Sequence, residues 1–169
     1  MESNLIIDGI GFPRLSCRDV IQTLTPIPHG EIRRSVNGEL CYVGTKRHHK
    51  YKSTVTCADQ NLPGVQQLWV GATVTMQCVS TLWENLVLGA EGEHELSRPA
   101  VPGSIKIVNE ADEVVEHTYE DCVLTLPMGE GEKVIVSYRP VLSMRITAFD
   151  FKEGEWEKGS QWRLSLEEI

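Results

Sequence analysis

No stretch of this chain approaches the ~18 consecutive apolar residues that a membrane-spanning helix needs, so no span is expected. Residues 1–12 lack a basic stretch and hold only a short apolar run, so no secretory signal is expected either. Basic side chains are in the minority: 16 Lys and Arg against 24 Asp and Glu leave a formal net charge of −8. So acidic a surface is a poor match for nucleic acid over its whole extent, and no sequence-specific nucleic-acid binding is expected. The cysteines are Cys17, Cys41, Cys57, Cys78 and Cys122. Their odd number and wide spacing argue against a disulfide framework and for reduced thiols packed as small hydrophobes. No G-x-S-x-G elbow and no G-x-G-x-x-G phosphate cradle occur, so neither an enzyme nor a cofactor is expected. What is present is a chain of 169 residues, 41% apolar. A globular chain of that size buries roughly 70% of its unfolded surface, enough for one core. A single soluble domain over residues 1–169 is the expectation, made in the cytoplasm by default.

The strongest local signal is Asn37-Gly38 between Glu31–Val36 and Glu39–Val43, which predicts a two-residue type I′ hairpin turn. Ser53–Cys57 and Thr73–Val79 follow period two, with Val74, Met76 and Cys78 alternating against Thr73, Thr75 and Gln77. Further strands are predicted at 104–108, 114–119, 123–126, 134–138, 142–151 and 161–166. In the last of these Trp162, Leu164 and Leu166 face inward. The segments 123–126 and 134–138 flank a hairpin-like loop. Gly, Pro and charges without periodicity make 89–103 an exposed loop. Helical structure is confined to Arg18–Leu24 and a turn near Trp69. Eight to ten short strands with frequent turn signals describe a mainly β protein, a β-sandwich or β-barrel with one or two short helical turns.

Cys41, His48, His49 and Cys57 are the candidate metal ligands, but none shares the close C-x2-C type of spacing that zinc sites use, so no metal is expected. His94 stands among Glu91, Glu93 and Glu95, a composition that reads as a solvated loop. Paired carboxylates of the glycosidase kind are spatial and leave no sequence mark. Charge is more informative. Lys46, Arg47, His48, His49, Lys50 and Lys52 crowd into one segment, and 91–121 is rich in acids. Complementary patches of this kind fix register at an interface. The six basic-segment residues are therefore the candidate protein–protein contact, with the acidic region of a neighbouring copy as partner. Trp83 and Trp156, each beside acids, read as partly buried at an interface or a core edge.

The runs Gln22–Ile27, Arg33–Leu40, Tyr51–Gln60 and Trp69–Cys78, with Tyr138–Arg145 and Trp162–Leu166, resemble small structural proteins of long-tailed, siphovirus-like bacteriophages. The resemblance spans about two-thirds of the chain, omitting 84–133, and consists of strand-and-turn patterns. It implies a virion tail protein with a β-sandwich or barrel core, made in the host cytoplasm. Tube, terminator, distal-tail ring and tip components all fit. Its partners would be other copies of itself in a ring or tube and other tail proteins, and an acidic lumen would let DNA pass without sticking. A reading of another class is a monomeric β-sandwich module that binds a carbohydrate or a host receptor.

Overall fold

The computed structural model describes residues 4–45, 49–65, 68–88, 92–127, 129, 131–155 and 159–169. Among them the fold is mainly β, with no helix. In chain order the strands are β1 (Ile6–Ile7), β2 (Ile21–Pro26), β3 (Glu31–Arg34), β4 (Leu40–Val43), β5 (Tyr51–Asp59), β6 (Thr73–Gln77), β7 (Leu82–Val87), β8 (Glu93–Glu95), β9 (Lys106–Asn109), β10 (Thr118–Glu120), β11 (Val123–Thr125), β12 (Lys133–Tyr138), β13 (Val141–Glu153) and β14 (Ser160–Glu168). They fall into two compact units, residues 1–10 with 74–143 and residues 11–73 with 144–169.

In the first unit β1 pairs with β6, β12 lies between β7 and β9, and β11 lies between β10 and β8, all antiparallel. Alternation explains its core. Val134 and Val136 on β12, Ile107 on β9, Leu86 on β7 and Leu124 on β11 are buried together with Leu88, Leu96, Leu126 and Tyr138. The segment 89–103 is not the exposed loop its composition predicts. It contains β8, and Leu96, Ala100 and Val101 are buried, because these apolar residues complete that core. The segments 123–126 and 134–138 are strands as expected but not partners: β11 and β12 pair within different sheets.

The second unit is an antiparallel sheet in the order β13-β14-β5-β2, with the separate hairpin β3–β4. Val55, Cys57, Trp162, Leu164 and Leu166 are buried on one side of it by strict period two. A register shift between Ile146 and Ala148 inserts one extra residue in β13. That bulge lets Phe149 and Phe151 continue on the face begun by Met144 and Ile146. The expected helix at Arg18–Leu24 is instead the start of β2: Ile21, Thr23 and Thr25 are β-branched, and the backbone pairs with β5 from Ile21↔Thr56 to Pro26↔Tyr51. Near Trp69 there are single turns, Leu68 N–H donating to Val65 O and Ala72 N–H to Trp69 O.

The turn at Asn37-Gly38 takes a different form from the one its sequence predicts. At the β3–β4 connection Ser35 N–H donates to Glu39 O and Gly38 N–H to Ser35 O. Gly38 has φ +81°, while Asn37 is not among the residues with positive φ. This is a three-residue loop with Gly in the left-handed position, not the type I′ turn, which needs positive φ at both central residues. The type I′ requirement is met instead at Asp121 and Cys122, φ +46° and +70°, between the paired Glu120 and Val123. Gly38→Val should cost about 1 kcal/mol, since a β-branched residue resists φ +81°. The double substitution Asp121→Asn with Cys122→Gly should raise stability by about 1 kcal/mol, seen as a higher urea midpoint at unchanged slope.

Candidate functional site

The hairpin β3–β4 is the least buried part of the described fold: every residue of both strands is exposed. Its register pairs Ile32 with Tyr42 and Arg34 with Leu40. Period two therefore places Ile32, Arg34, Leu40 and Tyr42 on one face and Glu31, Arg33, Cys41 and Val43 on the other. Ile32, Leu40 and Tyr42 are 67%, 65% and 53% exposed. Arg33 is ion-paired with Glu31, whereas Arg34 donates to the neutral Gly38 carbonyl. At the base of the hairpin the Tyr42 hydroxyl donates to His29 O. The Tyr42 ring lies against Gly30 and Gly44, where a Cβ would meet ring atoms at 2.9 and 2.5 Å. Glycine at both positions is what admits the ring.

Of the basic segment, Lys46, Arg47 and His48 lie outside the described residues. His49 is exposed, and Lys50 is half-buried with its Nζ donating to Ile169 O at 2.6 Å. Lys52 Nζ is 3.7 Å from Glu167 Oε1, and Glu168 Oε2 accepts from Tyr51 N–H at 2.9 Å. The end of β14 thus offers the carboxylates nearest these lysines. Cys57 is buried in β5 and Cys41 exposed on β4. Among the described residues no group of three or more His, Cys, Asp or Glu is placed to hold a metal.

Two polar constellations have no sequence motif. The first gathers around Glu84 on β7. Its Oε1 accepts from the Tyr138 hydroxyl at 2.6 Å and from Ser97 Oγ, and Ser97 Oγ is 3.0 Å from the Tyr138 oxygen. His94 Nε2 lies 3.7 Å from Glu84 Oε2. Burial, reinforced by the Glu84 carboxylate, pushes the Tyr138 phenol far above its ordinary range. Serine and histidine both address the carboxylate rather than each other, so this is not the Ser–His–carboxylate relay of a nucleophile. It is a partly exposed hydrogen-bond network anchored on the buried Tyr138, and His94 is half-buried in β8 rather than in a solvated loop.

The second is Asp59, at the end of β5. Its carboxylate receives Arg18 Nη2 at 2.7 Å and Nε at 3.1 Å on Oδ1, and the Arg18 N–H at 3.1 Å on Oδ2. Gln60 N–H adds a bond of 2.8 Å to Oδ1. The Arg18 side chain, more than these backbone donors, lowers the Asp59 pKa from 3.8 to about 2 against the opposing effect of burial. Asp59 therefore adds stability that is fully present above pH 3.8 and is lost as the pH falls towards about 2. Asp59→Asn should flatten the decline of melting temperature across that acid window while lowering the melting temperature at pH 7. Beside it, an open hollow of about 600 Å³ is lined by Asp19, Ile21, Asp150, Lys152, Gln161 and Arg163 among others. Two carboxylates against two cations give its lining no net charge with which to select an ion.

Exposed aromatics narrow the reading of the tryptophans. Trp83 is 67% exposed in the single chain, which excludes a place at the core edge and leaves an interface as the place for its burial, and Trp156 is outside the described residues. Trp69, not singled out by its sequence, is 75% exposed and meets Phe149 edge-on at 6.0 Å, with Phe151 5.3 Å further on. No protein-family model matches this chain, and no curated protein matches it in sequence.

Proposed function

We propose that this chain is a structural protein of a bacteriophage tail, a tube, distal-tail, tip or terminator component, that assembles into a ring or tube and performs no catalysis. The observation that carries the assembly half of this reading is the β3–β4 hairpin, whose apolar side chains are all exposed. A two-stranded hairpin is marginal in water without a surface to pack on, and exposed apolar patches of this kind mark protein contacts. The tail assignment comes from the strand-and-turn resemblance described above. Its partners in this reading are further copies and neighbouring tail proteins, its place is the virion tail, and an acidic wall would repel passing DNA. Cryo-electron microscopy of phage particles that encode this chain tests the reading. It expects the chain in the tail with rotational symmetry, and a chain absent from the particle overturns it.

A monomeric carbohydrate- or receptor-binding module is favoured by one observation, the row Trp69, Phe149 and Phe151. Sugar rings stack on such aromatics. Saturable glycan binding that Trp69→Ala abolishes, by a chain that stays monomeric, would establish that reading in place of the first.

A further inference from the structure

We propose that the hairpin face bearing Ile32, Leu40 and Tyr42 docks on the outward face of the β7-β12-β9 sheet of a second copy of this chain, joining copies head to tail. This rests on the assembly reading above and specifies its contact. The receiving surface follows from register. Asn85 pairs with Ile135, Ile135 with Val108, and Val108 with Val114, so these four form one row across the sheet. Trp83 and Val87 lie on the same side of β7, two residues either way from Asn85. The opposite side of the sheet carries the core residues Leu86, Val134, Val136 and Ile107. Outward faces of antiparallel sheets are ordinarily polar. Here Trp83, Val87, Val114 and Ile135 are 67%, 63%, 82% and 42% exposed.

Charge selects which surfaces meet. Residues 31–45 carry Arg33 and Arg34 against Glu31 and Glu39, with Arg33 paired to Glu31, and Arg34 is the one charged strand residue on the apolar hairpin face. At the edge of the receiving face Glu110, Asp112 and Glu113 are exposed beside Val114, while the face itself carries Lys106 and Lys133, the latter 3.9 Å from Glu110. Hairpin on hairpin would set Arg34 against a second Arg34. Hairpin on sheet sets apolar on apolar and brings Arg34 towards Asp112 and Glu113 beside Val114, which fixes register and disfavours the pairing of hairpin with hairpin. The hairpin is also braced in advance: the Tyr42 hydroxyl is bonded to His29 O and the ring is seated on two glycines. Bracing lowers the ordering cost of docking. Because the two surfaces differ, each docking leaves one hairpin and one sheet face unused. Such a contact closes into a ring or propagates, whereas a contact between like surfaces stops at a dimer.

Sedimentation velocity of the full chain up to several hundred micromolar tests this, with two surface variants. Ile32→Ser with Leu40→Ser disables the hairpin; Trp83→Ser with Ile135→Ser disables the sheet. All four side chains are exposed, so circular dichroism should show both folded. Wild type should form species larger than dimers, each variant alone should associate at least about tenfold more weakly, and an equimolar mixture should give a one-to-one heterodimer. The heterodimer is the signature, since each variant retains the surface the other lacks. A hairpin variant that assembles normally, or a sheet variant that does while the hairpin variant does not, overturns the proposal but leaves assembly standing. A mixture without heterodimer does the same. A wild type that stays monomeric overturns the assembly reading with it. Arg34→Glu, which alters no apolar packing, should weaken association, and Glu113→Arg in the mixed partner should restore it. Absence of rescue rejects the charge pairing that selects hairpin for sheet.

Discussion

Trp162→Ala should lower folding stability by ~4 kcal/mol, read from urea denaturation with the unfolding slope unchanged. The indole is 4% exposed near the start of β14, its ring centroid lies 5.9 Å from that of Phe12, and its Nε1–H donates 2.9 Å to Ser16 O. Alanine would leave a cavity that strand backbone cannot collapse to fill. It would also strip the buried Ser16 carbonyl of this donor. Trp162→Phe separates the two effects: most of the volume remains and only the hydrogen bond goes, so the loss should shrink to roughly 1–2 kcal/mol. Equal losses for the two substitutions would mean that the hydrogen bond, not the packing, dominates at this position.

Glu84→Ala should cost ~2 kcal/mol, which is large for a residue that sequence alone marks as an ordinary surface acid. Tyr138 is fully buried, and its hydroxyl would keep Ser97 alone as a partner. Tyr138→Phe removes the other end of the same bond. The double substitution should therefore cost less than the two single losses together, by ~1 kcal/mol. Strict additivity in the cycle would show that the two groups do not depend on one another.

How much of this was legible beforehand depended on whether polarity and burial agreed along each strand. In β5, β6 and β14 they agree: Val55 and Cys57, Val74 and Met76, and Trp162 to Leu166 alternate with polar neighbours, and each faces where its chemistry points. In β7 they conflict. Leu82, Glu84 and Leu86 share the inward face while Trp83 and Val87 look outward, because a buried tyrosine holds the carboxylate. No hydrophobic alternation survives that inversion, and with it the Glu84 network was hidden. The β2 segment misled for another reason. Its residues tolerate either backbone, and pairing with β5 decided the matter from outside the local sequence. Turn chemistry failed similarly: Asn37-Gly38 could build a type I′ turn, but the strands around it are spaced for three residues. The charged segment at 46–52 was visible as charge alone. That the carboxylates of β14 approach Lys52 and Tyr51 is a consequence of register.

β14 lies between β13 and β5, yet it follows both, and every other described strand, in chain order. A nascent chain that has already delivered β2, β5 and β13 holds two open sheet edges with buried-type residues Val55, Cys57, Met144 and Ile146 and nothing to fill the slot between them. Contacts that span so much of the chain are slow to form, and unpaired edges recruit strands from other molecules. Ribosome stalling or truncation anywhere between residues 153 and 160 should thus yield an aggregating species rather than a smaller folded one. A peptide of residues 160–169 supplied in trans should rescue it by taking the vacant place.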